Sequence, residues 1–236
     1  MRSVLFPPCC LVLTLLASFT CSILSLVGAN RLAHKAECLW GASLVWCAGI
    51  TLEADLSALE PDVAYVFMAN HQSNMDIPIL FSALRRYEFR VLAKENLFAI
   101  PFFGPAMRRV GHVAIDRQNS RKAMASMNAA AGLLARGLGL LIFPEGTRSM
   151  DFSQLQPFKT GGAIVALKSG AKVAPLILVG SGDVLPKHAR TPKPGRVRVR
   201  ALAPIDPSAA YTIKDRDAFN NDLWALMDKA YQEMRS

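Results

Sequence analysis

Val63-Ala64-Tyr65-Val66-Phe67-Met68-Ala69-Asn70-His71-Gln72-Ser73-Asn74-Met75-Asp76 is an apolar run that empties into a polar turn. Residues 63–69 carry no charge and are rich in valine and aromatic side chains, the pattern of a fully buried strand. A buried strand ending in polar residues delivers side chains to the carboxyl edge of a sheet, where α/β proteins place their chemistry. Histidine accepts a proton near neutral pH, and a nearby carboxylate can hold its tautomer. The plain alternative is that His71 caps a helix or satisfies a buried turn, because short motifs recur by accident.

Beyond residue 50 the same rhythm repeats, with short apolar runs alternating with longer amphipathic stretches. Strands are expected at 63–69, 89–93, 112–115, 140–143, 173–179 and 196–201. Helices are expected just after His71, at 120–136, at 161–168 and at 215–234. This predicts an α/β domain with a mixed, largely parallel sheet flanked by helices. The last strand alternates Arg196, Val197, Arg198, Val199, Arg200, so it reads as half-exposed and as an edge. Residues 187–195, Lys-His-Ala-Arg-Thr-Pro-Lys-Pro-Gly, form a loop by composition.

The first fifty residues differ from the rest. Residues 3–30 contain no charged side chain. A helix starting near Pro8 would have roughly twenty residues at about 1.5 Å each, or about 30 Å, enough to cross a hydrocarbon core. A second uncharged run, 38–52, is shorter, contains Gly41 and Gly49, and carries Trp40 and Trp46, which suit the headgroup level. A spanning helix followed by an interfacial one, a helical hairpin dipping into one leaflet, a cleaved signal peptide and a buried core helix all fit. Membrane attachment through residues 1–50, with a catalytic domain over 51–236, is the expectation.

All five cysteines, Cys9, Cys10, Cys21, Cys38 and Cys47, lie in this apolar part. The remaining chain therefore has neither a catalytic thiol nor a cysteine metal site, and no disulfide framework is evident. Asp76, Asp116 and Glu145 match no calcium or two-metal spacing, so no metal is expected. Of the net charge of +9, the first fifty residues carry Arg2, Arg31 and Lys35 against Glu37, which leaves +7 on the rest. Anionic headgroups or anionic substrates fit that balance better than nucleic acid, since no basic-aromatic repeat or recognition helix is present.

Three more clusters fall within or just beyond expected strands: Gly111-His112-Val113-Ala114-Ile115-Asp116-Arg117, Phe143-Pro144-Glu145-Gly146-Thr147-Arg148-Ser149, and Val173-Ala174-Pro175-Leu176. Strand ends on one side of a sheet would gather the first two around His71. The order His-x4-Asp, Gly-x-x-x-Ile-Asp-Arg, Pro-Glu-Gly-Thr-Arg and Val-x-Pro resembles the glycerophospholipid acyltransferase family, and within it most nearly the 1-acylglycerol-3-phosphate acyltransferases. The likeness covers about residues 63–180. Ala114 departs from it, standing where family members often have phenylalanine.

The resemblance implies acyl transfer from acyl-CoA or acyl-acyl carrier protein, as co-substrate and with no cofactor, to the sn-2 hydroxyl of lysophosphatidic acid. His71 would be the general base and Asp76 its orienter. Arg117 and Arg148 would bind the acceptor phosphate, with Lys94 near them. Asp116, Glu145, Gly146 and Thr147 belong to the same implied binding set, and Lys159 is a further phosphate candidate. Ser73 lacks a nucleophile's setting and reads as a turn residue. Pro175 is expected in a pocket wall. The implied location is the cell membrane, with the domain facing the cytoplasm. Acylation of another acceptor, a non-catalytic lipid-binding module and a lipid hydrolase are the rival readings.

Overall fold

The computed structural model describes residues 2–116 and 118–236. Arg117 lies outside the described residues. Seven strands, β1 (Ile50–Asp55), β2 (Val66–Ala69), β3 (Phe89–Lys94), β4 (Val113–Ile115), β5 (Gly139–Ile142), β6 (Val173–Val179) and β7 (Gly195–Ala201), form one sheet in the order β1-β7-β6-β2-β5-β3-β4. Every neighbouring pair is parallel except β6 with β7. The helices are α1 (Arg2–Leu26), α2 (Asn30–Cys47), α3 (Asp76–Ala83), α4 (Phe103–Val110), α5 (Ser120–Leu134), α6 (Gly161–Ser169), the short α7 (Ser181–Val184) and α8 (Arg216–Arg235).

Alternate residues of the central strands feed two cores. Tyr65, Phe67, Phe89, Val91 and Leu141 pack on the side that holds α2 and α3. Val66, Met68, Leu140 and Ile142 pack on the side that holds α5, α6 and α8. A two-residue side-chain period at β2 thus divides one uniformly apolar run between two layers. The chain moves from β2 outward to β3 and β4, returns to β5, then crosses β2 to reach β6. The carboxyl end of β2 therefore lies at the point where the strand order reverses, where open α/β sheets form crevices.

The expected edge strand is interior. β1 pairs in parallel with β7, setting Glu53 opposite Arg198 and Asp55 opposite Arg200, and Arg196 Nε lies 3.2 Å from Glu53 Oε1. The arginines do face outward, but an acidic strand covers them laterally. That strand begins inside the second uncharged run, which hid it. Pro175 is buried within β6 opposite Met68, so it belongs to the sheet and not to a pocket wall. Helix α4, with Phe103-Gly104-Pro105 at its start, was not expected from the sequence.

Helix α1 begins a full turn and more before Pro8 and contains both prolines. It turns through Gly28, at a φ of 74°, into α2. The hairpin is no loose appendage. Phe6, Cys38, Leu44 and Val45 share a core with Phe67 and Phe89. At Gly41, a Cβ would stand 2.6 Å from the Pro78 carbonyl oxygen, so only glycine permits α2 to cross α3 this closely. His34 Nε2–H donates to the Tyr87 carbonyl at 2.8 Å, and Glu37 Oε1 lies 2.7 Å from His112 Nε2, joining α2 to the amino ends of β3 and β4 through buried polar groups.

Candidate active site

Asn70 begins the site by continuing β2 with its side chain. Its amide donates to the Leu178 carbonyl at 2.9 Å and accepts from the Leu178 N–H at 2.8 Å, imitating a strand residue against β6. The chain then turns and enters α3 at Asp76. The Asp76 carboxylate is fully buried, and its Oδ2 accepts the Gln72 N–H at 2.7 Å and the Ser73 N–H at 2.8 Å. The same oxygen lies 2.7 Å from His71 Nδ1. An oxygen already accepting two amide hydrogens is an acceptor toward the ring too, so Nδ1 carries a proton, and in the neutral imidazole Nε2 then has the lone pair. The His71 ring stacks on Phe143, centroids 4.0 Å apart, and its side chain remains 19% exposed.

A second loop locks the first. Glu145 Oε1 accepts the His71 N–H at 2.7 Å, and Ser149 N–H donates to the His71 carbonyl at 2.7 Å. The main chain of His71 is thus held at both ends by the Glu-Gly-Thr-Arg-Ser segment. Gly146, at a φ of 74°, makes the turn that this requires; its N–H bonds the Phe143 carbonyl, and the Lys159 side chain passes over it. Ser73 is buried, with its hydroxyl donating to Leu185 and accepting from Met75, and so is a turn residue.

The sheet brings together His71, Asp76, Glu145 and Gly146 but spreads the rest. Thr147 is exposed and Arg148 half-buried, with Arg148 Nη1 donating to the Lys187 carbonyl at 3.2 Å. Glu145 does not hold Arg148: among the described residues no ion pair joins them. Lys94 is exposed at the end of β3, two strands from β2. Asp116 follows β4, three strands away or about 14 Å at about 4.8 Å per strand. Its oxygens meet Lys122 at 3.7 Å and the Gln118 N–H at 3.0 Å. Sequence reading placed Asn70, Phe143 and Ser149 inside the motifs but gave them no role, because each acts through a partner distant in the chain.

An apolar cavity of about 730 Å³ opens beside this site. Asn74, Met75 and Arg190 line it near the His71 loop, Phe81 and Val91 line its flank, and Glu37 and His112 line it toward the amino ends of β3 and β4. Helix α1 forms one long wall from Phe6 to Cys21, about 22 Å of helix at about 1.5 Å per residue, with α2 and α4 beside it.

Burial raises the Glu145 pKa from 4.5 to about 8, with the Asp76 charge adding and the amides of His71 and Gln156 opposing. A carboxyl with a raised folded pKa contributes stability that is full below about pH 4.5 and is lost as pH rises through about 8. Glu145→Gln removes that dependence. In denaturant melts the variant is expected to match the parent near pH 5 and to exceed it by about 2–4 kcal/mol at pH 9, with activity lowered throughout. Equal stability of the two proteins at pH 9 would contradict this account.

Three comparisons bear on the site. The family described as Acyltransferase matches residues 54–179. A 1-acyl-sn-glycerol-3-phosphate acyltransferase of Chlamydomonas reinhardtii is 37% identical over 181 residues, covering 74% of this chain and 54% of that protein. One from Helicobacter pylori is 32% identical over 144 residues, covering 61% of this chain and 60% of its own. The chain spans about half the length of the first curated relatives it matches. Among solved structures, the 1-acyl-sn-glycerophosphate (LPA) acyltransferase PlsC from Thermotoga maritima superposes with a TM-score of 0.76 at 22% identity, over 100% of this chain and 98% of that one. That likeness concerns the fold.

Proposed function

The chain belongs to the acyltransferase family, and from that premise we propose that it transfers a fatty acyl group from a thioester to the sn-2 hydroxyl of 1-acylglycerol-3-phosphate. The donor in this reading is acyl-CoA or acyl-acyl carrier protein. The observation that carries it is the His71 Nδ1 to Asp76 Oδ2 contact of 2.7 Å, which leaves Nε2 as the free base at the carboxyl edge of the sheet. His71 Nε2 takes the acceptor hydroxyl proton as that oxygen attacks the thioester carbonyl. The new ester C–O bond forms, the C–S bond breaks, and the proton passes to the departing thiolate. No enzyme nucleophile is needed. Glu145 keeps His71 in register, while Arg148, with Lys159, Lys94 and Arg117 as further cations, draws the acceptor phosphate. The apolar cavity suits the acyl chain.

This reading places the reaction at a membrane, on its cytoplasmic side. The segment Val4–Leu26 is long and apolar enough to cross a bilayer, and Val4, Leu11, Leu16, Phe19 and Leu26 are exposed on it. Phe6 and Cys21, near its two ends, are nonetheless buried against the rest of the chain, so α1 lies along the domain. A hairpin seated in one leaflet fits this better than a helix leaving the protein to span. Leu39 and Trp46 of α2, with Ile100 and Phe102, are further exposed apolar side chains.

The test is purified protein, one long-chain acyl thioester and a panel of acceptors: lysophosphatidic acid, glycerol-3-phosphate, lysophosphatidylcholine and a lyso-ornithine lipid. Phosphatidic acid should form at least tenfold faster than any other product. Preference for another acceptor would overturn the substrate assignment. Fatty acid release without an acceptor would instead mark a hydrolase.

A further inference from the structure

Helix α8 lies outside the segment that the family match covers and carries none of the motif residues, yet both catalytic loops hang from it. The Gln72 side chain, inside the His71 loop, donates from Nε2 to Tyr231 Oη at 2.6 Å. Tyr231 Oη–H in turn donates to the Phe152 carbonyl at 2.7 Å. Tyr231 is 1% exposed and Gln72 3%, so neither polar group has water to fall back on. The Gln72 backbone N–H is one of the donors to Asp76 Oδ2. A short chain of bonds thus runs from α8 through Gln72 to the carboxylate that orients His71.

The second loop is tied in the same way. Trp224 Nε1–H donates to the Gln156 carbonyl at 3.1 Å, in the segment whose Lys159 N–H bonds the Pro144 carbonyl at 2.8 Å beside Glu145. Asp228 Oδ1 accepts the Leu155 N–H at 2.9 Å. Trp224, Asp228 and Tyr231 recur at four- and three-residue steps, so they occupy one face of α8. Burial pushes the Tyr231 pKa up, which keeps its hydroxyl a donor to Phe152. These three side chains pair with loop main chain and a loop side chain, donating at two points and accepting at two.

We propose that α8 is the positioning element of the active site, and that Tyr231, acting through Gln72, fixes the His71–Asp76 pair. Tyr231 touches no substrate in this scheme. It sets the angle at which the base meets the hydroxyl, and small errors in that geometry act on turnover more than on binding. The kinetic part rests on the acyltransferase reading above.

Tyr231→Phe keeps the ring and removes only the two hydrogen bonds. It is expected to lower kcat about tenfold with KM for donor and acceptor within about twofold. Gln72→Met, which removes the first of these bonds from the other side, should give a similar loss. The double variant should be no slower than the worse single one by more than about twofold, because the two residues act in series. A readout independent of turnover is the low-field proton signal of His71 Nδ1–H, which should broaden or move upfield in both variants. Loss of that signal change together with unchanged kcat in Tyr231→Phe would overturn the proposal, as would additive losses in the double variant. If the parent transfers no acyl group while the signal still responds, the acyltransferase reading fails and the brace stands.

Discussion

Replacing His71 with alanine is expected to reduce kcat about 10²–10⁴-fold, with little change in membrane binding or melting temperature. The magnitude follows from the role: a positioned general base contributes about 10²–10⁴-fold, and no other described side chain is placed to inherit it. Ser73, the nearest hydroxyl in sequence, is committed to Leu185 and Met75. The fold should survive because the loop is held by its main chain. The His71 N–H bonds Glu145 and its carbonyl bonds Ser149 whatever side chain stands there. What is lost structurally is one stacked ring against Phe143 and one of the three hydrogen bonds to Asp76 Oδ2, which the Gln72 and Ser73 amides still hold. The measurement is single-turnover acyl transfer beside vesicle co-sedimentation. Retention of more than about a tenth of the parent rate would remove His71 from the mechanism.

Asp76→Asn is the second large effect, and it should strike rate and stability together. The asparagine carbonyl oxygen can stand where Oδ2 accepts from Gln72, Ser73 and His71. Its amide then occupies the place of Oδ1, a buried atom with no hydrogen-bond partner among the described residues. Two buried donors without acceptors cost about 1–3 kcal/mol. The reverse placement sets the amide against two backbone N–H groups and the ring, and is worse. A neutral amide also does not stabilise the imidazolium that forms as the hydroxyl proton arrives. We expect kcat to fall about 10²–10⁴-fold, with a lower melting temperature, while His71→Ala lowers kcat alone. If Asp76→Asn loses stability yet keeps its rate, Asp76 is a loop anchor and not a catalytic partner.

Much of this site is legible from residue order, for a local reason. His71 and Asp76 are five positions apart, across one turn into a helix, so their contact depends on little beyond that turn and the strand before it. The central strands are legible too, because a continuous run of apolar side chains has few alternatives to burial on both faces. β1 was not legible: Ile50–Asp55 starts in an uncharged run and earns its strand only by pairing with the arginines of β7. The same holds for Arg196, Arg198 and Arg200, whose alternation records an exposed face and says nothing about lateral neighbours. Glu145 was recognisable as important, but its partner was not. The His71 amide that it binds is 74 residues away, and no periodicity encodes a hydrogen bond across that distance.

The sequence by itself therefore determined the α/β class, the position of the central strand and the pairing of His71 with Asp76 at its end. Those follow from side-chain period and from chemistry confined to one turn. Only the tertiary structure decided that Glu145 grips the His71 backbone, that α1 and α2 close an apolar cavity beside it, and that Tyr231, 159 residues from Gln72, braces the loop. Each of these is a buried polar or packing match between segments far apart in the chain. Such a match is set by which surfaces the folded layers press together, since a buried donor must find whatever acceptor the opposing layer presents.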